Sequence, residues 1–249
     1  MRNLTVGYGA EPVLDRISID VHAGQFTSLI GPSGSGKTSV LRAITRLMDP
    51  EEGVIELDVA PDEIGFLFQD DALLPWRTAR ENVALGMRIR GTPPGPAGAK
   101  ADEWLALFGL EGLGDRYPQQ LSGGQRKRVA LAQVLALHPK LLLMDEPFAS
   151  LDAIVRTRIT EELLGWVERE RLTVLLVTHD LDEAIGASDV VYVLSHGPRA
   201  RVRARHEVGI ERPRSVLESR RHPRFAPLRE QLWKELSEGA VHRPIPVEP

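Results

Sequence analysis

Apolar residues along this chain recur in three ways, and each change of pattern marks an element. Ile17, Ile19 and Val21 alternate with Ser18 and Asp20, which predicts a half-buried strand over 17–21. Gly24 interrupts, and Phe26-Thr27-Ser28-Leu29-Ile30 reads as a buried strand. Val40, Leu41, Ile44 and Leu47 then fall at helical spacing, with Pro50 as the predicted stop. Short strands follow over 54–57 and 64–68. From about 70 to 120 the pattern turns helical, interrupted by Gly91-Thr92-Pro93-Pro94-Gly95-Pro96, which reads as a loop. A helix is predicted over 125–137 and another over 155–169. Leu141-Leu142-Leu143-Met144 and Val174-Leu175-Leu176-Val177 are continuous apolar runs, as expected for strands covered on both faces. A further strand over 190–194 and a last packed helix over 225–236 complete the pattern. The tail over 237–249 is predicted to be flexible, since 241–249 holds three prolines and little to bury.

Composition narrows the function classes. The chain has 249 residues, enough for one large domain or a domain with a subdomain. Its net charge of −4 argues against bulk nucleic-acid binding. With no cysteine, disulfides, thiolate catalysis and cysteine-based metal sites are excluded. No apolar run approaches the ~20 residues needed to span a bilayer, and Met1-Arg2-Asn3-Leu4-Thr5 shows no secretion signal. A cytoplasmic protein is expected.

Two glycine-rich loops carry the chemistry. Gly31-Pro32-Ser33-Gly34-Ser35-Gly36-Lys37-Thr38 matches G-x-x-x-x-G-K-[ST] between a predicted strand and a predicted helix. Backbone N–H groups there would cradle phosphates, Lys37 would reach the β and γ oxygens, and Thr38 would ligate Mg²⁺. Leu121-Ser122-Gly123-Gly124-Gln125 is a second anion site, with Ser122 as helix N-cap and Gly123 and Gly124 admitting a phosphate. One nucleotide does not easily use both loops of one subunit, so the pair points to a nucleotide shared between two copies. Leu141 to Glu146 is an apolar strand ending in two carboxylates. Asp145 is placed to hold Mg²⁺ through water beside Thr38, and Glu146 is the candidate general base for water.

These motifs, in this order, resemble the nucleotide-binding subunit of an ATP-binding cassette (ABC) transporter, over nearly everything from Tyr8 to about Leu194. The resemblance implies an α/β fold: a P-loop NTPase core with a mixed sheet, an antiparallel β subdomain and an inserted helical subdomain. The ATPase domain would span 1–236, with the helical insertion at approximately 70–137. It also implies residue roles. Leu121 to Gln125 is the family's signature loop, and Gln69 is the glutamine that senses γ-phosphate and Mg²⁺. Ser150-Leu151-Asp152 matches the loop along the dimer interface, and Asp152 alone reads as an N-cap. His179 matches the histidine contacting the γ-phosphate, and Tyr8 the aromatic stacking on adenine. Gln133 stands where the family usually has arginine. Arg126, Lys127 and Arg128 occupy a first helical turn, where the macrodipole disfavours cations. Either a nearby anion offsets that cost or the three side chains are simply solvated.

Asp70-Asp71-Ala72-Leu73-Leu74-Pro75-Trp76-Arg77 and Glu81 to Gly86 resemble importer ATPases of the nitrate, sulfonate and taurine group. The resemblance implies ATP and Mg²⁺ as cofactors and a head-to-tail dimer of two copies. It further implies an integral membrane permease docked at Leu74 and Trp76, a substrate-binding protein acting indirectly, and a peripheral location on the cytoplasmic face of the inner membrane. A soluble ABC ATPase of DNA repair or translation is the alternative, disfavoured by the lack of a coiled-coil insertion or tandem cassette. The alternating Arg199, Arg201, Arg203 and Arg205 read as an edge-strand face or as an approach to an anionic partner.

Overall fold

Continuous apolar strands are stable only when both faces are covered, and the central strands of this chain meet that condition. The computed structural model describes residues 1–9 and 11–238. Among them the strands are β1 (Arg2–Gly7), β2 (Pro12–Ile17), β3 (Phe26–Ile30), β4 (Glu52–Val54), β5 (Ile64–Leu67), β6 (Leu141–Asp145), β7 (Thr173–Val177), β8 (Val190–Leu194) and β9 (Val202–Glu207). The helices are α1 (Lys37–Ile44), α2 (Ala79–Ile89), α3 (Pro94–Leu107), α4 (Gly123–Leu135), α5 (Ala153–Glu170), α6 (Leu181–Ala187), α7 (Val216–Ser219) and α8 (Phe225–Ser237).

Six strands form one mixed sheet in the order β5-β6-β7-β3-β8-β9. β9 alone runs antiparallel to its neighbour. Alternate residues feed different cores: Leu142, Met144, Val174 and Leu176 pack with α2 to α5, while Leu141, Leu143, Leu175 and Val177 pack with α1 and the antiparallel strands. A third cluster joins Val191 and Val193 to α6 and α8. The smaller sheet, β2-β1-β4, is antiparallel.

The helical segment is anchored by polar chemistry at its entry. Thr78 caps α2, accepting from the Glu81 amide at 3.3 Å while Glu81 accepts from the Thr78 amide at 2.9 Å. Asn82 is fully buried, yet its side chain donates to the carbonyls of Leu74, Arg77 and Thr78 and accepts from the Leu74 amide. It therefore staples the 74–78 turn. α2 to α4 then share one apolar cluster with the sheet through Val83, Trp104, Leu105, Leu131 and Leu135.

Several elements differ from their sequence expectation. The strand predicted over 17–21 is instead β2, which ends at Ile17; Ile19 is buried but unpaired in a ladder. Beyond Ile17 the chain stays bonded to the start of β1, where Met1 and Ile19 exchange both backbone hydrogen bonds and the Asn3 amide donates to Ser18 Oγ. Helix α1 ends at Ile44 because Arg46 turns left-handed, at φ 57°, and Leu47 is exposed. β4 covers 52–54 and not 54–57, and β5 stops before Phe68.

The proline run also behaves otherwise. Pro94 opens α3 and Pro96 sits in its first turn, where missing N–H groups have no intrahelical acceptor to lose. The α4 and α5 helices begin two residues earlier than expected, at the residues following caps Ser122 and Asp152. The arginine stripe lies on the edge strand β9 and just before it, with Arg199 and Arg201 both paired to buried Asp15. Helix α8 reaches Ser237, and the rest of the predicted flexible tail, 239–249, lies outside the described residues.

Leu142 is wholly buried in the β6 run. Leu142→Ala is expected to lower unfolding free energy by about 2–5 kcal/mol, read as a shifted urea midpoint at unchanged slope. A loss below about 1 kcal/mol would contradict burial on both sheet faces.

Candidate functional site

In β3, β6 and β7 charge enters only where the strand stops. β3, β6 and β7 lie side by side and parallel, so Gly31, Glu146 and Thr178 all emerge at one edge. The Glu146 amide donates to the Val177 carbonyl at 2.8 Å, setting the two strand ends against each other. Glu146 itself has φ 42°, an uncommon left-handed conformation for a side-chain-bearing residue. Its carboxylate meets His179 Nδ1 at 3.0 Å.

The first glycine loop joins β3 to α1. Gly36 caps α1 at φ 83°, and a Cβ there would lie 2.7 Å from Val13 and 2.8 Å from Leu14. Only glycine fits both the backbone angle and the contact with β2. Lys37 folds over the loop, donating to the carbonyls of Gly31 and Pro32 at 2.8 and 3.1 Å. Burial pulls its ammonium below the usual lysine range, while the carboxylates of Glu146 and Asp145 act the other way. Ser35 is buried in the same loop, and its hydroxyl has no hydrogen-bond partner. The segment also holds Pro32, Ser33 and Gly34, the last at φ 77°.

Thr38 Oγ1 donates to Asp145 Oδ1 at 3.0 Å. Burial raises the Asp145 carboxyl above the usual range, opposed by that hydrogen bond and reinforced by neighbouring Glu146. Thr38, Gln69 and Asp145 line an open cavity of about 460 Å³, together with Arg42, Asp70 and Phe68. This all-oxygen donor set of hydroxyl, amide and carboxylate suits a hard cation such as Mg²⁺. Among the described residues no group of three or more His, Asp and Glu side chains is arranged to hold a metal.

Tyr8 is 64% exposed, with its hydroxyl accepting from Arg42 at 3.0 Å and shared with Ser39 at 3.4 Å. Its ring is thus free on a tethered side chain. Ser39 and Arg42, three apart on α1 and therefore on one face of it, carry no such sequence signal.

The second loop lies elsewhere. Ser122 accepts from the Gln125 amide at 3.3 Å and donates its own amide to Gln125 Oε1 at 2.9 Å. That capping box leaves the Gly123 and Gly124 amides among the unpaired donors of α4. A Cβ on Gly124 would lie 2.8 Å from Val155, so this glycine also lets α4 pack on α5. Asp152 caps α5 through the amides of Ile154 and Val155. Among the described residues no hydrogen bond or ion pair joins 122–125 to 31–38. The structure brings Lys37, Thr38, Gln69, Asp145, Glu146 and His179 to one edge and leaves Ser122 to Gln125 apart.

Two supporting contacts had no clear sequence signal. Arg156 spans from Asp180, at 2.8 Å, to the Leu151 carbonyl, at 3.1 Å, tying the loop before α5 to the one after β7. Glu183 is buried against Thr178, whose hydroxyl donates to it at 2.5 Å.

Comparison with known proteins decides the family. The family model described as ABC transporter matches residues 14–149. The chain belongs to the ABC transporter family, as an ATP-binding domain. It is 42% identical over 222 residues to an aliphatic sulfonates import ATP-binding protein of Rhodococcus jostii, covering 89% of this chain and 87% of that one. It is 42% identical over 216 residues to a sulfate/thiosulfate import ATP-binding protein of Synechocystis sp., covering 84% of this chain. A bicarbonate transport ATP-binding protein of the same organism is 39% identical over 92% of this chain. The chain spans 61% of that sulfate/thiosulfate protein and 35% of the bicarbonate one. Among solved structures, a dimeric ATP-binding cassette in a post-hydrolysis state with ADP and Pi matches with TM-score 0.73 and 31% identity. That match covers 84% of this chain and 98% of the cassette. The fold is that of ABC ATPase cassettes, and the family binds ATP.

Burial pushes the Glu183 carboxyl up to about 7 from an ordinary 4.5. Between those values the folded chain keeps a proton that the unfolded chain has released, so this group lowers stability as pH rises through that window. Glu183→Gln is expected to flatten the dependence of the urea midpoint between about pH 5 and pH 8. Parallel curves for wild type and variant would contradict it.

Proposed function

We propose that this ABC protein is the ATP-hydrolysing subunit of an importer, driving solute uptake through a separate membrane permease. The observation that carries this reading is the split of the site. Lys37, Thr38, Asp145, Glu146 and His179 gather at one sheet edge, while among the described residues no hydrogen bond or ion pair joins 122–125 to the loop 31–38 of the same subunit. Two copies related head to tail supply each nucleotide with both halves. Ile154, 83% exposed two residues after the Asp152 cap, offers apolar area for that closure.

In this reading the loop amides, the N-terminus of α1 and Lys37 bind the β and γ phosphates of ATP. The Tyr8 ring stacks on adenine, and Ser122, Gly123, Gly124 and Gln125 of the second copy close on the γ-phosphate. Thr38, Asp145 and Gln69 would hold Mg²⁺, which neutralises phosphate charge when bound. Glu146 accepts a proton from the attacking water, and His179, hydrogen-bonded to it, orients its carboxylate and faces the γ-phosphate. Asp152 sits beside the second copy. Hydrolysis reopens the dimer and resets the permease.

The permease docks beside the edge strand β5. There Phe66, Phe68, Ile89, Val134 and Leu137 line a groove of about 310 Å³. Trp76, 71% exposed, stands on the turn that Asn82 staples. The sulfonate, sulfate/thiosulfate and bicarbonate of the relatives' names are small oxyanions, so a solute of that class, delivered by a substrate-binding protein, is the proposal here. Among the described residues no helix is long and apolar enough to cross a membrane, which suits a peripheral subunit under a separate permease.

Glu146→Gln is expected to bind ATP, to hydrolyse it at least about 100-fold more slowly, and to accumulate as a dimer with ATP. Unchanged phosphate release would sink the assignment of the base. Leu74→Ala with Trp76→Ala should weaken co-purification with the permease about tenfold while ATP binding persists. Intact association would remove the docking site from this turn.

A further inference from the structure

Lys127 is the most deeply buried cation of the described chain, with a side chain only 1% exposed, and it lies in the N-terminal part of α4. A helix N-terminus repels cations, and burying an ammonium is expensive unless it is paired and hydrogen-bonded. Its partners explain why it stays. Nζ donates to the Gln69 carbonyl at 3.0 Å, reaches the Phe68 carbonyl at 3.5 Å and pairs with Asp71 at 2.9 Å. The other oxygen of Asp71 accepts from Arg126 Nε at 3.1 Å, and Arg126 Nη1 donates to the Leu121 carbonyl at 2.8 Å. Nearly sixty positions of sequence separate the two ends of this strap, and one buried side chain closes the gap. The anion that offsets the basic turn of α4 is therefore Asp71.

We propose that Lys127 is a positioning residue that locks the backbone of Gln69 to the N-terminal half of α4. The γ-phosphate-sensing segment and the half-site offered to the second copy then move as one body. The proposal rests on the role given above to Gln69. Its physical basis is that the strap holds the main chain of Gln69, leaving the side-chain amide free to line the cavity with Thr38 and Asp145. Any displacement of the 69–71 backbone reaches Leu121 through Lys127 and through Asp71 and Arg126. It need not travel through the length of the helical insertion.

The test uses the full chain and follows ATP affinity, steady-state turnover and ATP-driven dimerisation in Lys127→Met, Asp71→Asn and Gln69→Ala. Lys127→Met keeps the apolar stem and removes the charge. It should leave ATP affinity within about threefold, because Lys37 and the first loop are untouched, while kcat and dimer formation fall at least tenfold. Asp71→Asn should show the same split to a smaller degree, and the double variant should lose less than the product of the single losses. Should Lys127→Met not fold, Asp71→Asn carries the comparison. Folded variants with kcat within twofold of wild type would overturn the proposal, as would equal losses in affinity and kcat, the mark of general loosening. Gln69→Ala separates the two readings. If it loses turnover while the Lys127 and Asp71 variants keep theirs, the strap fails and the sensing role stands. If Gln69→Ala turns over normally, the sensing role fails and the strap has nothing to relay.

Discussion

The site depends on one constraint, that the β3, β6 and β7 strands are buried on both faces. Leu141 to Met144 and Val174 to Val177 leave no room for an unpaired charge until each strand ends. In a parallel sheet all those ends lie at the same edge, so polar residues placed by sequence just after each strand converge in space. Asp145 opposite Val177 is the last ladder pair, and Glu146 is the first residue beyond it. The polar edge is thus a consequence of burial, with one left-handed residue, Glu146, at the point where the chain turns out.

Electrostatics at that edge is unfinished within one subunit. Asp145 and Glu146 face Lys37, which is itself spent on two carbonyls of its own loop. Burial raises the Asp145 carboxyl and lowers the Lys37 ammonium, both directions disfavouring charge. A polyphosphate with its cation corrects this by giving Lys37 an anion and the carboxylate a positive neighbour. The start of α4 offers the complementary chemistry through the amides of Gly123 and Gly124, which have no intrahelical acceptor.

How far these features were readable varied with the kind of signal. Glycine loops, strand-terminal carboxylates and continuous apolar runs are local, and each of them falls where its pattern implied. Alternation was less faithful, because the regular strand ends at Ile17 although Ile19 is still buried and bonded to Met1. The proline run at 93–96 misled for a local reason: proline is harmful inside a helix and harmless in its first turn. Lys127 gave a warning, a cation where the dipole is positive, but its partner Asp71 could be known only from the fold.

The amino-acid order by itself determined the family, the two phosphate loops, the catalytic candidates and the two-face burial of the core strands. These rest on short-range chemistry that a contiguous segment carries with it. Only the tertiary structure decided that Lys127 reaches Gln69, that Asn82 staples the Trp76 turn, and that Ser122 stands apart from Lys37 in its own subunit. Those facts depend on long loops closing to ångström precision, and the pattern of residues along a chain holds no record of the distance between its distant parts.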